Sequence, residues 1–197
     1  MTTTENPTGT CADVCQHLDE PERRPLLVRV DRKTDKDTEI MPLVRWQFRG
    51  LPQDQGVRDL TSAITWLSQR KDVDKLRIGA VGWCMGGGFA VQLAVAAPDL
   101  KAVAVNYGAL PTDKTALANI HAAVIGNFGG QDRGIPPDAV HAFETSMQSL
   151  GKPVDAKIYP QAGHAFENPN NAAGFRPDDA ADALARIDSF LKSTLGH

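Results

Sequence analysis

The residue best suited to chemistry is Cys84, which lies within the segment GWCMGGG. The segment has the nucleophile-elbow spacing G-x-nucleophile-x-G, with cysteine as the nucleophile. A predicted strand ends here and a predicted helix begins, so the free N–H groups and positive dipole end of that helix should favour the thiolate. Gly82 and Gly86 are expected because only small residues let the backbone pass through so sharp a turn. The backbone N–H of Met85 is the predicted oxyanion donor.

The glycine-rich turn alone leaves other interpretations open. It could pack a helix closely on a strand or cradle a phosphate, although neither G-x-G-x-x-G nor a Lys followed by Ser or Thr is present. A redox role for Cys84 lacks a partner thiol, because Cys11 and Cys15 lie far away in sequence. With His17 these two cysteines offer three metal ligands and no fourth nearby, so we expect neither a metal nor a cofactor.

Two further segments supply a base and an acid. Asp132 ends GGQD after one predicted strand, and His164 ends YPQAGH after the next. Parallel strands bring their carboxyl ends to one edge of a sheet, where active sites form. The order Cys84, Asp132, His164 is that of α/β-hydrolases, with His164 as base and Asp132 orienting it. Asp138 is an alternative acid, but it occupies a predicted helix start.

The elements that must position these residues alternate along the chain. Strands followed by amphipathic helices predict a mostly parallel sheet with helices on both faces. The predicted strands are 26–30, 41–48, 76–82, 102–107, 121–128 and 154–159, and the predicted helices run from Gly56, over 85–97, from Pro136 to a stop at Gly151, and onward from Pro177.

Composition indicates one globular domain. Of the 197 residues, 42% are hydrophobic and 23% charged, with a net charge of −3. We predict a polar N-terminal arm over 1–24 and a single α/β domain over 25–197. This charge does not suit nucleic-acid binding, and glycines interrupt the most apolar stretch, so no membrane span is predicted. The N-terminus resembles no signal peptide, so we expect reduced thiols in the cytoplasm.

Four segments resemble the dienelactone hydrolase family of α/β-hydrolases: DVDKLRIGAVGWCMGGG, VNYGALP, GGQDRGIPP and YPQAGHAFENP. The resemblance spans residues 56–197. It implies a small, cofactor-free hydrolase of lactones and esters with a triad of Cys84, His164 and Asp132.

The N-terminal part departs from that family. Its loop His-Glu-x-x-Gly-Leu supplies a second oxyanion donor and a carboxylate near the thiol, whereas here Gln47 stands where the Glu is expected. The resemblance then implies Phe48 N–H as the second donor. A helix and strand that normally follow this loop are expected to be missing. Asn168 stands where the family prototype has a substrate-binding arginine four residues after its histidine.

Two hypotheses follow. In the first, the protein hydrolyses a small-molecule ester, lactone or thioester through an acyl-enzyme on Cys84. Trp83, Tyr107 and Phe166 then either wall an acyl pocket or act as ordinary core aromatics. In the second, the fold is catalytically impaired and serves as a binding or assembly module, with a homodimer as the candidate assembly.

Overall fold

The computed structural model describes residues 52–71 and 73–196. By its internal contacts the chain divides into two units, Met1–Asp59 and Leu60–His197, and all the elements from Gly79 onward belong to the second. The predicted arm, the predicted strands 26–30 and 41–48, Gln47 and Phe48 lie outside the described residues.

The described elements form a four-stranded, wholly parallel sheet in the order β1-β2-β3-β4. This architecture confirms the predicted α/β class. The elements are α1 (Gln53–Gln69), β1 (Gly79–Trp83), α2 (Met85–Ala96), β2 (Ala102–Asn106), α3 (Lys114–Ala118), β3 (Ala123–Gly129), α4 (Pro137–Ser149), β4 (Val154–Tyr159) and α5 (Pro177–Leu195).

Alternation along the strands divides the core between two faces of the sheet. Val103 and Val105 of β2 point into the larger cluster, which contains the buried sides of α2 and α4. Ala104, between them, points the other way and packs with Ile125 and Ile187, the last of which lies on α5. Because β2 is buried along its whole length, it has the continuous apolar character expected of a central parallel strand.

The helices bury the faces that their periodicity predicts. Leu60, Ile64 and Leu67 of α1 pack against the larger cluster. Helix α2 is apolar nearly all round, and six of its residues are buried. It ends at Ala96, two residues before Pro98, since a residue preceding proline is disfavoured in the helical region.

Two predicted strand starts are too early. Leu76 is 65% exposed, and its N–H donates to the Asp74 carboxylate in a turn, so β1 begins only at Gly79. His121 is likewise exposed, and β3 begins at Ala123. Helix α3 was not predicted; its five residues are too few for a periodic signal, although Asp113 caps it by accepting from Thr115 N–H at 2.9 Å.

Candidate active site

The turn between β1 and α2 holds Cys84 in a strained backbone conformation, with φ 53° and ψ −121°. Such a conformation costs about 1–3 kcal/mol and persists only where surrounding contacts enforce it. Here Cys84 N–H donates to Asn106 C=O at 2.9 Å, and Cys84 C=O accepts from Gly87 and Gly88 N–H at 3.0 and 3.3 Å. A Cβ at Gly82 would lie 2.0 Å from the backbone oxygen of Gly86, so no side chain fits there.

The prediction that the turn requires a small residue at Gly86 is wrong. A Cβ at this position would meet nothing within 4 Å among the described residues outside its own helix. The second close approach is instead between Gly87 and Gly108, because a Cβ at Gly108 would lie 2.4 Å from the carbonyl carbon of Gly87. This contact lets α2 pack tightly against the loop after β2.

The structure places the three predicted reactive side chains in series, each within hydrogen-bonding distance of the next. His164 Nε2 lies 3.1 Å from Cys84 Sγ, and His164 Nδ1 lies 2.7 Å from Asp132 Oδ2. Asp132 is only 4% exposed, and its Oδ1 accepts from the N–H groups of Gly134 and Ile135 at 2.8 and 3.2 Å. The carboxylate is therefore fixed on one side and free to orient the imidazole on the other.

The alternative acid is placed elsewhere. Asp138 is exposed in the first turn of α4, where its charge suits the helix dipole. The hydrogen bond to the imidazole is made by Asp132.

A buried polar network that the sequence analysis did not predict lies behind the turn. Asn106 and Asn127 are wholly buried, and Asn127 Nδ2 donates to Asn106 Oδ1 at 2.9 Å. Asn106 Nδ2 in turn donates to Gly82 C=O at 3.2 Å, two residues before the thiol. On the other side, Asn127 Oδ1 accepts from Arg186 Nε at 3.1 Å, and Tyr159 OH, which donates to Asp182 at 2.6 Å, lies 3.4 Å from the same oxygen. Polar residues near the ends of two apolar strands were the available signal.

An open cavity of about 620 Å³ adjoins the thiol. Trp83 and Tyr107 line it, as the pocket interpretation expects, whereas Phe166 is wholly buried and is not among the lining residues. The ring of Phe166 packs at 5.6 Å from that of Tyr107, whose own edge meets the His164 ring at 5.3 Å. The lining residues are Trp83, Cys84, Tyr107, Ala165, Glu167, Asn168, Pro169, Phe175, Pro177, Ala180, Ala181 and Leu184.

Glu167 is a further residue of this cavity that the sequence analysis missed. Its Oε2 accepts from Trp83 Nε1 at 2.7 Å, and its Oε1 is buried without a hydrogen-bond partner among the described residues. Burial raises the pKa of the Glu167 carboxyl above its ordinary value, while the Trp83 hydrogen bond acts in the opposite direction. Burial, with the nearby charges of Glu167 and Cys84, also raises the pKa of Tyr107, so its phenol stays neutral.

The described residues contain no group of three or more His, Cys, Asp or Glu side chains placed to hold a metal ion. Among the helices described, none combines the length and the apolarity needed to cross a membrane.

Solved structures share this arrangement of strands and helices. The "Putative Dienelactone Hydrolase" of Klebsiella pneumoniae matches with a TM-score of 0.66 and 25% identity, covering 73% of this chain and 63% of its own. A dienelactone hydrolase-like promiscuous phosphotriesterase from metagenomic libraries matches with a TM-score of 0.67 and 16% identity, covering 80% of this chain and 68% of its own. The fold and the strand-to-helix turn thus define an α/β-hydrolase.

Sequence comparison defines the family more narrowly. The model of the dienelactone hydrolase family matches residues 25–195, and the chain belongs to that family. Relatives named "Putative carboxymethylenebutenolidase" in Methylorubrum extorquens and Saccharolobus solfataricus are 30% and 31% identical over 164 and 170 residues. These alignments cover 79% and 85% of this chain but 56% and 61% of the relatives, so the chain spans less than two thirds of their length.

Proposed function

We propose that this protein hydrolyses small carboxylic esters or lactones, or thioesters, through an acyl-enzyme on Cys84. The observation that carries the proposal is the line from Asp132 through His164 to Cys84, with separations of 2.7 and 3.1 Å. Membership of the dienelactone hydrolase family and the names of the relatives support a hydrolase of this kind.

In the first half of the reaction, His164 Nε2 takes the proton of the Cys84 thiol and Sγ attacks the acyl carbon. The Asp132 carboxylate accepts a hydrogen bond from His164 Nδ1–H, which leaves Nε2 free to act as the base, and it stabilises the imidazolium that forms. The tetrahedral intermediate collapses as the C–O bond to the leaving alcohol breaks, and His164 returns the proton to that alcohol. In the second half, His164 takes a proton from water, and the water oxygen attacks the carbonyl carbon of the thioester. The C–Sγ bond then breaks, the carboxylic acid leaves, and His164 returns the proton to Sγ.

The negative charge on the oxygen of the tetrahedral intermediate is stabilised by hydrogen-bond donors that the folded protein has already positioned. Met85 is the first residue of α2, so its N–H has no acceptor four residues earlier within the helix. We assign this N–H as one oxyanion donor, and Phe48 N–H remains the proposed second. Removing one such donor from an acyl-transfer site costs about 10²–10³ in rate.

The proposal is tested with p-nitrophenyl acetate, by following the release of p-nitrophenol and the intact mass together. Wild type is expected to show a burst, an added acetyl group and continued turnover, and Cys84→Ala none of them. The matched control is the Cys11→Ser, Cys15→Ser double variant, which keeps only the proposed nucleophile. Turnover by Cys84→Ala, or loss of the adduct in the double variant alone, would overturn the assignment.

A further inference from the structure

The cavity beside Cys84 is apolar on most of its surface, and the carboxyl group of Glu167 lines it. Phe175 and Leu184 are among its apolar lining residues, and Leu184 is 61% exposed. Glu167 Oε1 faces no hydrogen-bond donor of the described chain. Lys and Arg are both absent from the lining residues that the structure describes.

Glu167 is half-buried, and burying one of its carboxylate oxygens without a partner is costly, because the hydration of that oxygen is lost and no hydrogen bond replaces it. The Asp132 carboxylate, in contrast, accepts hydrogen bonds from His164, Gly134 and Ile135. Glu167 has only the indole N–H of Trp83 on its other oxygen. Once the pH exceeds the raised pKa of this carboxyl, its charge has no cationic partner among the described lining residues and gives the space it borders a negative potential.

We infer that Glu167 is a specificity-determining residue, which makes this cavity select esters with an uncharged or cationic acyl group and reject those bearing a carboxylate. This inference rests on the proposed function, since it names the substrate class of the same site. Position 168 supports it: Asn168 lines the cavity and supplies no charge to hold an anionic group.

The size of the effect follows from the dimensions of the cavity. A sphere of 620 Å³ is about 11 Å across, so a substrate charge inside the cavity lies within about 12 Å of the Glu167 carboxyl group at its edge. At an effective dielectric constant of about 20, two like charges at that distance change a rate or affinity by about tenfold. The discrimination against a carboxylate is therefore expected to be about tenfold at an ionic strength of about 0.01 M, where the Debye length of about 30 Å exceeds the width of the cavity.

Alkylation of Cys84 tests the inference without requiring hydrolysis. Iodoacetamide is neutral and iodoacetate anionic; in both reactions the Sγ–C bond forms and the C–I bond breaks with release of iodide. Rates are followed by mass spectrometry in the Cys11→Ser, Cys15→Ser background and divided by those of a small free thiol. The quantity compared is the ratio of the iodoacetate rate to the iodoacetamide rate.

Glu167→Gln removes the charge and keeps an amide oxygen that accepts from Trp83 Nε1. We expect the ratio to rise about tenfold in this variant. Asp99→Asn is the matched control, because Asp99 is exposed in the loop after α2 and does not line the cavity. A ratio in Glu167→Gln within about twofold of wild type, or an equal rise in Asp99→Asn, would overturn the inference.

Hydrolysis gives the second readout. The kcat/KM of p-nitrophenyl butyrate is compared with that of p-nitrophenyl hemisuccinate, whose acyl chain ends in a carboxylate. The preference for butyrate should fall about tenfold in Glu167→Gln. If wild type turns over neither ester, the proposed function fails while the alkylation ratio still decides the role of Glu167. If it turns over both and the preference is the same in the variant, only the inference fails.

Discussion

Replacing Asn127 by alanine tests whether the buried network behind the turn holds the fold at this point. The substitution removes the donor to Asn106 Oδ1 and the acceptor of Arg186 Nε. An unpaired buried acceptor costs about 1–3 kcal/mol, and a lost hydrogen bond to a charged group about 1.5–3 kcal/mol. Because the Arg186 side chain is 23% exposed, water replaces part of its lost bond, and we place the total near 3 kcal/mol.

A loss of this size should lower the Tm by about 6–12 °C. The measurement is urea and thermal denaturation of the full chain, with Asn170→Ala as the control, since Asn170 is exposed and such surface changes stay within about 0.5 kcal/mol. In an Arg186→Ala background, the loss of unfolding free energy caused by Asn127→Ala should be smaller by about 1–2 kcal/mol. The reason is that the Arg186 Nε–H group, which Asn127→Ala leaves without an acceptor, is already absent. A Tm change below about 2 °C in the single variant, or full additivity in the double variant, would refute the reasoning.

Three further outcomes follow from the same geometry. Gly82→Ala should destabilise the protein by more than about 3 kcal/mol in urea denaturation, because its Cβ meets backbone at 2.0 Å, whereas Gly86→Ala should fold at least as well as wild type. Asp132→Asn should lower kcat for p-nitrophenyl acetate by about 10³–10⁴, since an amide nitrogen facing His164 fixes the wrong tautomer; a drop under about tenfold contradicts that role. Because burial raises the pKa of Glu167 above 4.5, the folded protein binds the carboxyl proton more tightly than the unfolded chain does. The contribution of this carboxyl to the stability of the fold therefore falls as the pH rises through the raised pKa. The stability of Glu167→Gln relative to wild type should therefore increase as the pH is raised above 4.5 in urea titrations; an unchanged difference would show that this ionisation is not coupled to folding.

Strand bounds could be predicted from sequence where turn residues mark both ends of the strand. Strand β4 was predicted over 154–159 and lies at Val154–Tyr159, since turn residues flank it closely on both sides. Leu76 and His121 were wrongly included in strands because an apolar or neutral residue beside a strand carries no mark of its exposure. Hydrophobic periodicity reports which residues can be buried, and tertiary contacts decide which ones are.

The grouping of Cys84, Asp132 and His164 could be predicted because each follows a strand and their order along the chain is informative. The positioning residues could not. Asn106 looks like an interruption of an apolar run until its partner Asn127 is known, and their pairing depends on the register of β2 against β3, which places them opposite each other. Glu167 lies in an irregular segment after His164, where no periodicity predicts the direction of a side chain.

In the proposed mechanism, the side chains that react and the side chains that position them differ in burial. Cys84 and His164 are reachable from solvent, whereas Asp132, Asn106 and Asn127 are buried and held mainly by backbone partners or by one another. Buried hydrogen bonds are formed during folding, so the order they impose is already present when a substrate arrives. The strained backbone of Cys84 then costs the folded state a fixed amount, which these contacts offset. Variants of the buried set should accordingly lose stability and reactivity together, whereas changes at the exposed imidazole should reduce reactivity and leave unfolding nearly unaltered.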